Sequence, residues 1–142
     1  MSDLLAAQRA LAKAHEPMAA GETRVSAALP DAAISVDVAR DGIVPLPAEM
    51  LRVVLTHLFK NAAAHGASQV TLSVADRGLT VTDNGPGVSK GNRDRIFDPF
   101  FTTRRSAGGT GMGLSIVKRM LDTQGANITL LDGPGARFRI SW

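Results

Sequence analysis

Between residues 51 and 62 the chain reads LRVVLTHLFKNA, and Leu51, Val54, Leu55, Leu58, Phe59 and Ala62 fall at i, i+3, i+4, i+7, i+8 and i+11. At about 3.6 residues per turn this spacing gathers the apolar side chains into one stripe, which predicts an amphipathic helix that must bury one face. The segments that follow say what covers it. QVTLSVA and LTVTD alternate apolar with polar residues, the period of strands with one buried face and one wet face. A striped helix and one-sided strands satisfy each other when helices lie over a single face of a sheet.

The rest of the chain is consistent with that plan. Residues 33–39 (AISVDVA) alternate as a half-buried strand does, and Pro45 and Pro47 end the extended stretch before the helix. Gly66 is placed to cap the helix. Asp76-Arg77-Gly78 joins the two strands, with the glycine expected in a tight hairpin turn. A loop-rich region runs from Asn84 to about Thr110. A second helix is expected from Gly113 to Gln124, with Leu114, Val117, Met120 and Leu121 facing the core and Gly125 ending it. NITLL and ARFRISW are two further strands about the turn DGPG. Residues 3–20 favour helix until Pro17 interrupts it. The order β-α-β-β-loop-α-β-β predicts an α/β fold, a two-layer sandwich with a mixed, mostly antiparallel sheet and helices on one face.

With 142 residues and 44% apolar content the chain fits one domain with one core. It contains no cysteine, which excludes disulfides, thiolate metal sites and a cysteine nucleophile. No apolar run approaches the ~20 residues that span a bilayer, and the N-terminus lacks signal-peptide form. The expectation is a cytoplasmic location with no membrane contact by this segment, in a parent that is itself soluble or membrane-anchored. Five basic residues (Lys90, Arg93, Arg95, Arg104, Arg105) face two acids (Asp94, Asp98) between positions 90 and 105. Such a cluster suits an acidic protein, a phosphorylated ligand or plain solvent. Nucleic acid is not expected, because base-stacking platforms are scarce: five Phe, one Trp and no Tyr.

Three stretches carry chemistry. His57, Asn61 and His65 stand at i, i+4 and i+8, a polar stripe expected roughly opposite the buried one. The two imidazoles lie ~12 Å apart along the axis, too far to share a zinc ion. A solvated face and a Mg²⁺ site completed by ligand phosphates both remain open, the latter needing only the Asn61 amide oxygen. Asp83 ends the strand LTVTD immediately before Asn84-Gly85-Pro86-Gly87. A carboxylate there can accept a hydrogen bond from a ligand amine, while Gly85 and Gly87 let the backbone approach a flat ring. Finally GGTGMGLS opens a helix, where unpaired N–H groups and the helix dipole favour an anion. Residues 85–113 hold seven of the fourteen glycines, yet neither a Walker loop nor a dinucleotide fingerprint occurs.

Taken together, these stretches resemble the ATP-binding catalytic domain of sensor histidine kinases, within the group that includes DNA gyrase, Hsp90 and MutL. The resemblance covers about residues 30–142. HLFKNAAAH is similar to the N box, DNGPG to the first glycine box, FDPFFTT at 97–103 to the F box, and GTGMGLS to the second glycine box. It implies a Bergerat-type ATP-binding fold with ATP and Mg²⁺ as ligands. Asn61 matches the Mg²⁺-coordinating residue and Asp83 the reader of the adenine amine, with Gly85 and Gly87 shaping that pocket. Gly109, Gly111 and Gly113 match glycines beside the phosphates, with Thr110, Met112 and Leu114 between and after them. Residues 88–108 correspond to the ATP lid, with Arg104 or Arg105 as the γ-phosphate contact and Phe100 and Thr102 at the nucleotide. Phe97, Phe100 and Phe101 either pin the lid or pack ordinarily.

The pattern is not followed everywhere. His57 stands where relatives carry Asn, Asp or Glu, so it is either a base that takes the attacking group's proton or a structural histidine. Ala64 replaces a phosphate-contacting Lys, leaving Lys60 or Arg104 to supply charge. His65 occupies a position where an aromatic often flanks the nucleotide. His15-Glu16 is similar to a phosphoacceptor site only superficially, because Pro17 breaks the helix it needs. Residues 1–30 are therefore expected to be a linker or the end of a dimerisation helix, and residues 31–142 the ATP-binding domain.

The expected function is transfer of the ATP γ-phosphoryl to a histidine on a separate dimerisation domain, with a response regulator downstream. Alone, the segment is expected to be monomeric and to bind ATP without phosphorylating itself. A stand-alone serine kinase that inhibits a sigma factor is the first alternative, against which FDPFFTT weighs. A non-catalytic nucleotide-binding interaction module is the second, with Ala64 in its favour.

Overall fold

The structure, a computed structural model, describes residues 21–93, 95–98 and 113–142. The striped segment forms α1, Ala48–Ala64. It starts on Pro47, whose φ of −59° suits the residue before a first turn, and the Leu51 N–H donates to the Pro47 carbonyl at 2.9 Å. Its end is closed by a paired motif. The Ala67 N–H reaches the Ala62 carbonyl (3.0 Å) and the Gly66 N–H the Ala63 carbonyl (3.1 Å). Gly66 sits at φ +90°, which makes it the expected capping glycine.

Around α1 lie β2 (Ser35–Arg40), β4 (Gln69–Ala75), β5 (Gly78–Asp83), β6 (Asn127–Leu131) and β7 (Arg137–Ser141), in one sheet of order β2-β4-β5-β7-β6. β2 and β4 run parallel, as a crossover through α1 requires, and the other pairs are antiparallel. Val70, Leu72, Leu79, Val81, Ile128, Phe138 and Ile140 are buried, while their neighbours Thr71, Ser73, Thr80, Thr82, Arg137 and Arg139 are part-exposed. One face is dry and the other wet, as the alternation predicts. All six stripe residues of α1 are at most 3% exposed, and α2 (Gly113–Asp122) adds Val117 and Leu121 at 0%. Leu114 packs part-buried against this core, whereas Met120 is only half-buried. The second helix ends at Asp122, two residues before the expected Gln124. Gly125, at φ +71°, closes it through the Ala126 N–H on the Leu121 carbonyl.

Three features differ from expectation. The β4–β5 turn is Asp76–Arg77 alone, both at positive φ (53° and 59°), with Ala75 paired to Gly78. Gly78 is therefore the first strand residue. Its bare Cα leaves the Arg139 guanidinium room to cross the site on its way to the Asp76 carbonyl. A second small sheet also forms between β1 (Thr23–Arg24) and β3 (Ile43–Val44). Behind β1, Val25 and Ala28 are fully buried, so the packed unit reaches back to Thr23. Finally, the polar stripe of α1 does not lie opposite the core. His57, Asn61 and His65 are each half-buried, because Asn61 lies ~90° round the helix from the centre of the apolar stripe.

Candidate functional site

Asp83 ends β5, and the alternation that buries Leu79 and Val81 carries its side chain inward to 8% exposure. A buried carboxylate must be supplied with donors. Its Oδ1 accepts the N–H of Gly85 (2.9 Å) and the N–H of Ala136 (3.0 Å), and its own N–H donates to the Ala136 carbonyl. Oδ2 receives no hydrogen bond among the described residues. One carboxylate oxygen is thus held by the backbone while the other is left to accept from a ligand.

The glycines around Asp83 are where backbones touch. A Cβ on Gly135, which lies at φ +72°, would run into the Asp83 carbonyl oxygen, and one on Gly87, at φ +83°, would come 2.9 Å from the Gly135 carbonyl. Gly85 lies against Ala67, which follows α1, with a built Cβ 3.4 Å from the Ala67 methyl. Asn84 fastens the same joint. Its Oδ1 accepts the N–H groups of Ser68 (2.8 Å) and Gln69 (3.0 Å), and Nδ2 donates to Ser68 Oγ (2.9 Å). The first glycine box is therefore bonded to the chain that leaves α1.

Above this joint lies the polar edge of α1. Asn61 is half-buried, and its side-chain amide has no hydrogen-bond partner among the described residues. Its backbone carbonyl accepts from His65 Nδ1 at 2.8 Å, and since a carbonyl only accepts, that nitrogen carries the proton. One ring nitrogen of His65 is accordingly committed to the helix end. His57 lies at the other side, where a Cβ built on Gly113 would stand 3.5 Å from its Nδ1, so its ring rests against the first residue of α2. Burial pushes the His57 pKa below its ordinary value, and the charge of Lys60 pushes it the same way. Lys60 itself is exposed.

The structure thus brings His57 and Asn61 on α1, Asp83 at the end of β5 with Asn84 to Gly87 after it, and Gly113 on α2 around the C-terminal half of one helix. Phe100, Phe101, Thr102, Arg104, Arg105, Gly109, Thr110, Gly111 and Met112 lie outside the described residues, as do His15 and Glu16. Phe97 packs edge-on against Phe138, with ring centroids 6.2 Å apart. Ala136 and Gly135 were missed in the sequence, where DGPG reads only as a hairpin turn. No local signal announces a contact 53 residues away.

The donor set fits a nucleotide and a hard cation. No cluster of three His, Cys, Asp or Glu suited to a metal exists among the described residues. A cation here would therefore rest on the amide oxygen of Asn61 and on ligand oxygens, the habit of Mg²⁺. The buried Oδ2 of Asp83, unpartnered among the described residues, suits an amine donor.

Residues 46–142 match the family model described as "Histidine kinase-, DNA gyrase B-, and HSP90-like ATPase". The sensor histidine kinase ZraS of Escherichia coli O157:H7 is 38% identical over 100 residues, which cover 65% of this chain and 21% of that protein. The sensor protein RstB of Escherichia coli K12 is 33% identical over 129 residues, covering 83% of this chain and 30% of RstB. Among solved structures, the ATP binding domain of PrrB from Mycobacterium tuberculosis superposes with a TM-score of 0.62 at 25% identity, covering 83% of this chain and 92% of that one. The chain spans about a fifth to a third of the length of these two curated relatives.

Proposed function

Since the chain belongs to the histidine kinase-, DNA gyrase B- and HSP90-like ATPase family, and is an ATP-binding catalytic domain of the sensor histidine kinase kind, we propose that it transfers the γ-phosphoryl of ATP to a histidine nitrogen on a dimerisation domain of its parent protein. The observation that carries this reading is Asp83, a buried carboxylate with Oδ1 held by two backbone N–H groups and Oδ2 unpartnered among the described residues. The adenine amine is the donor that Oδ2 accepts, and Gly85 and Gly87 leave room for the ring. A buried acceptor without a donor is costly, so a ligand that supplies one gains affinity and selectivity together.

Asn61 offers its side-chain oxygen to Mg²⁺, whose chemistry at this place is the neutralisation of phosphate charge. His57, kept neutral near pH 7 by its burial and by Lys60, accepts the proton that leaves the attacking imidazole. As the new N–P bond forms, the bond from the γ-phosphorus to the bridging oxygen breaks and ADP departs. The transition state is loose, so the work of the chain is positioning and charge compensation. Lys60, Arg104 and Arg105 supply positive charge, and Gly109, Gly111 and Gly113 supply close backbone N–H groups. The acceptor histidine and the response regulator lie on partner domains.

Calorimetry with ATP and Mg²⁺ tests the reading. Asp83→Ala is expected to weaken ATP by at least tenfold, the scale of one lost buried hydrogen bond to a charged group. Asn61→Ala is expected to remove the Mg²⁺-dependent part of the affinity. Equal affinity in all three proteins would remove the basis of the proposal. Ala64, exposed in the last turn of α1 where a basic residue is expected, favours one other reading, a nucleotide-binding interaction module. Tight ATP binding with no transfer to a supplied dimerisation domain would select it.

A further inference from the structure

The β4–β5 ladder ends at the pair Val70–Asp83, and Asn84 is the first residue beyond it. The backbone adds one more bond there, from the Asn84 N–H to the Gln69 carbonyl at 3.2 Å. The Asn84 side chain makes ties that this ladder does not need. Its Oδ1 accepts two N–H groups at once, those of Ser68 (2.8 Å) and Gln69 (3.0 Å), and Nδ2 donates to Ser68 Oγ at 2.9 Å.

Those ties end on the chain that carries Asn61. Residues 65–68 lie between α1 and β4. The Ala67 N–H donates to the Ala62 carbonyl, so this connection is bound at one end to the last turn of α1, one residue past Asn61. At its other end the Ser35 N–H reaches the Ser68 carbonyl from the β2 side, while the side chain of Asn84 takes Ser68 from the Asp83 side. Gly85, next after Asn84, donates to Asp83 Oδ1 and lies against Ala67. Asn84 is thus the middle member of a short run of bonds that leads from the Asn61 turn to the Asp83 carboxylate.

We infer that Asn84 is a positioning residue that sets the separation of the two ligand-holding groups, Asp83 Oδ2 and the Asn61 amide, before the ligand arrives. This role rests on the nucleotide reading above, in which one ligand spans both groups through its purine and its Mg²⁺-bound phosphates. With the two groups held at a fixed spacing, binding at one end presents the other end at a high effective concentration. A loosened joint must be ordered as the spanning ligand binds, which lowers its affinity. A ligand that uses Asp83 alone is spared that loss. The ladder itself survives without the side chain, because its six residue pairs and the Asn84 N–H bond belong to the backbone.

The test uses the unaltered chain and Asn84→Ala. ATP with Mg²⁺ and ATP with EDTA in place of the cation are measured by calorimetry, and adenosine by NMR titration. Asn84→Ala is expected to weaken ATP–Mg²⁺ about fivefold, the scale of hydrogen bonds lost at an exposed joint, while cation-free ATP and adenosine change less than about twofold. Amide exchange at Ser68 and Gln69 should quicken in the variant; unquickened exchange would mean that the ties are not made in solution and would overturn the assignment. A merely structural role would lower the unfolding midpoint and leave all three affinities of the folded variant unchanged, which overturns it too. So does equal weakening of all three, which would confine Asn84 to the purine end. If Asn84→Ala does not fold, Asn84→Ser, which keeps a hydroxyl but shortens the reach to both N–H groups, is read in the same way. An unaltered chain that binds no ATP, or whose ATP affinity does not respond to Mg²⁺, sinks the nucleotide reading first, a result distinct from the others.

Discussion

His57 shows how one side chain is tuned by where its helix sits. Half-buried beside Gly113 and near Lys60, it has a pKa below the ordinary 6.5. The unfolded chain therefore takes up this proton at higher pH than the folded one. Stability is unaffected well above pH 6.5 and falls as pH drops below it, until the folded pKa is passed. Thermal unfolding between pH 7.5 and 5.5 should show the midpoint falling in the unaltered chain and falling less in His57→Gln. A like slope in both would mean that the imidazole is not held neutral by its surroundings. Asp83 is held in place by hydrogen bonds from the backbone. It spends Oδ1 on the Gly85 and Ala136 N–H groups, which its removal would strand, and keeps Oδ2 for the ligand.

Turns and strand ends set these side chains in place. The Asp76–Arg77 turn holds two residues at positive φ, a conformation that costs a non-glycine residue roughly 1 kcal/mol or more. Asn-Gly is the pair that such a turn prefers. The double change Asp76→Asn with Arg77→Gly is expected to stabilise the domain by about 0.5–1 kcal/mol in urea unfolding, despite loss of the exposed Arg77 Nε bond to the Trp142 carbonyl. A loss of stability would show that this bond outweighs the backbone strain. The sequence led to the hairpin correctly and to its glycine wrongly. Gly78 looked like turn chemistry because a glycine beside Asp and Arg usually is. In the fold it lies under the guanidinium of Arg139 on β7, which is paired across the sheet with Thr80.

The N-terminal strap belongs to the packing of the domain as a unit. Thr23 is 3% exposed and its hydroxyl donates to the Leu46 carbonyl at 2.7 Å, just ahead of α1. Asp41 clasps the strap from outside. Burial works to raise its pKa, but the Ser26 hydroxyl and N–H, the Gly42 N–H and Arg24 together hold it below the ordinary 3.8. Its contribution is present above pH 3.8 and lost as pH falls through the lower folded value, clear of the His57 window. Thr23→Val keeps the volume but strands the Leu46 carbonyl. It is expected to cost about 1–3 kcal/mol in urea unfolding, and a neutral result would mean that the strap is not fastened there. Among the described residues no helix is long and apolar enough to cross a membrane.

The two periods in the chain were enough for the layers. The helical stripe of α1 and the alternation of β4, β5 and β7 dictate which faces are dry, and an i, i+4 spacing puts His57 and Asn61 on one edge, because these are local consequences of backbone geometry. The strap at Thr23–Ala28 and the backbone grip on Asp83 were not legible. Each depends on a contact between segments far apart in the chain: Thr23 with Leu46, Asp83 with Ala136. No periodicity encodes such a contact, because the two partners meet only after the sheet has chosen its strand order.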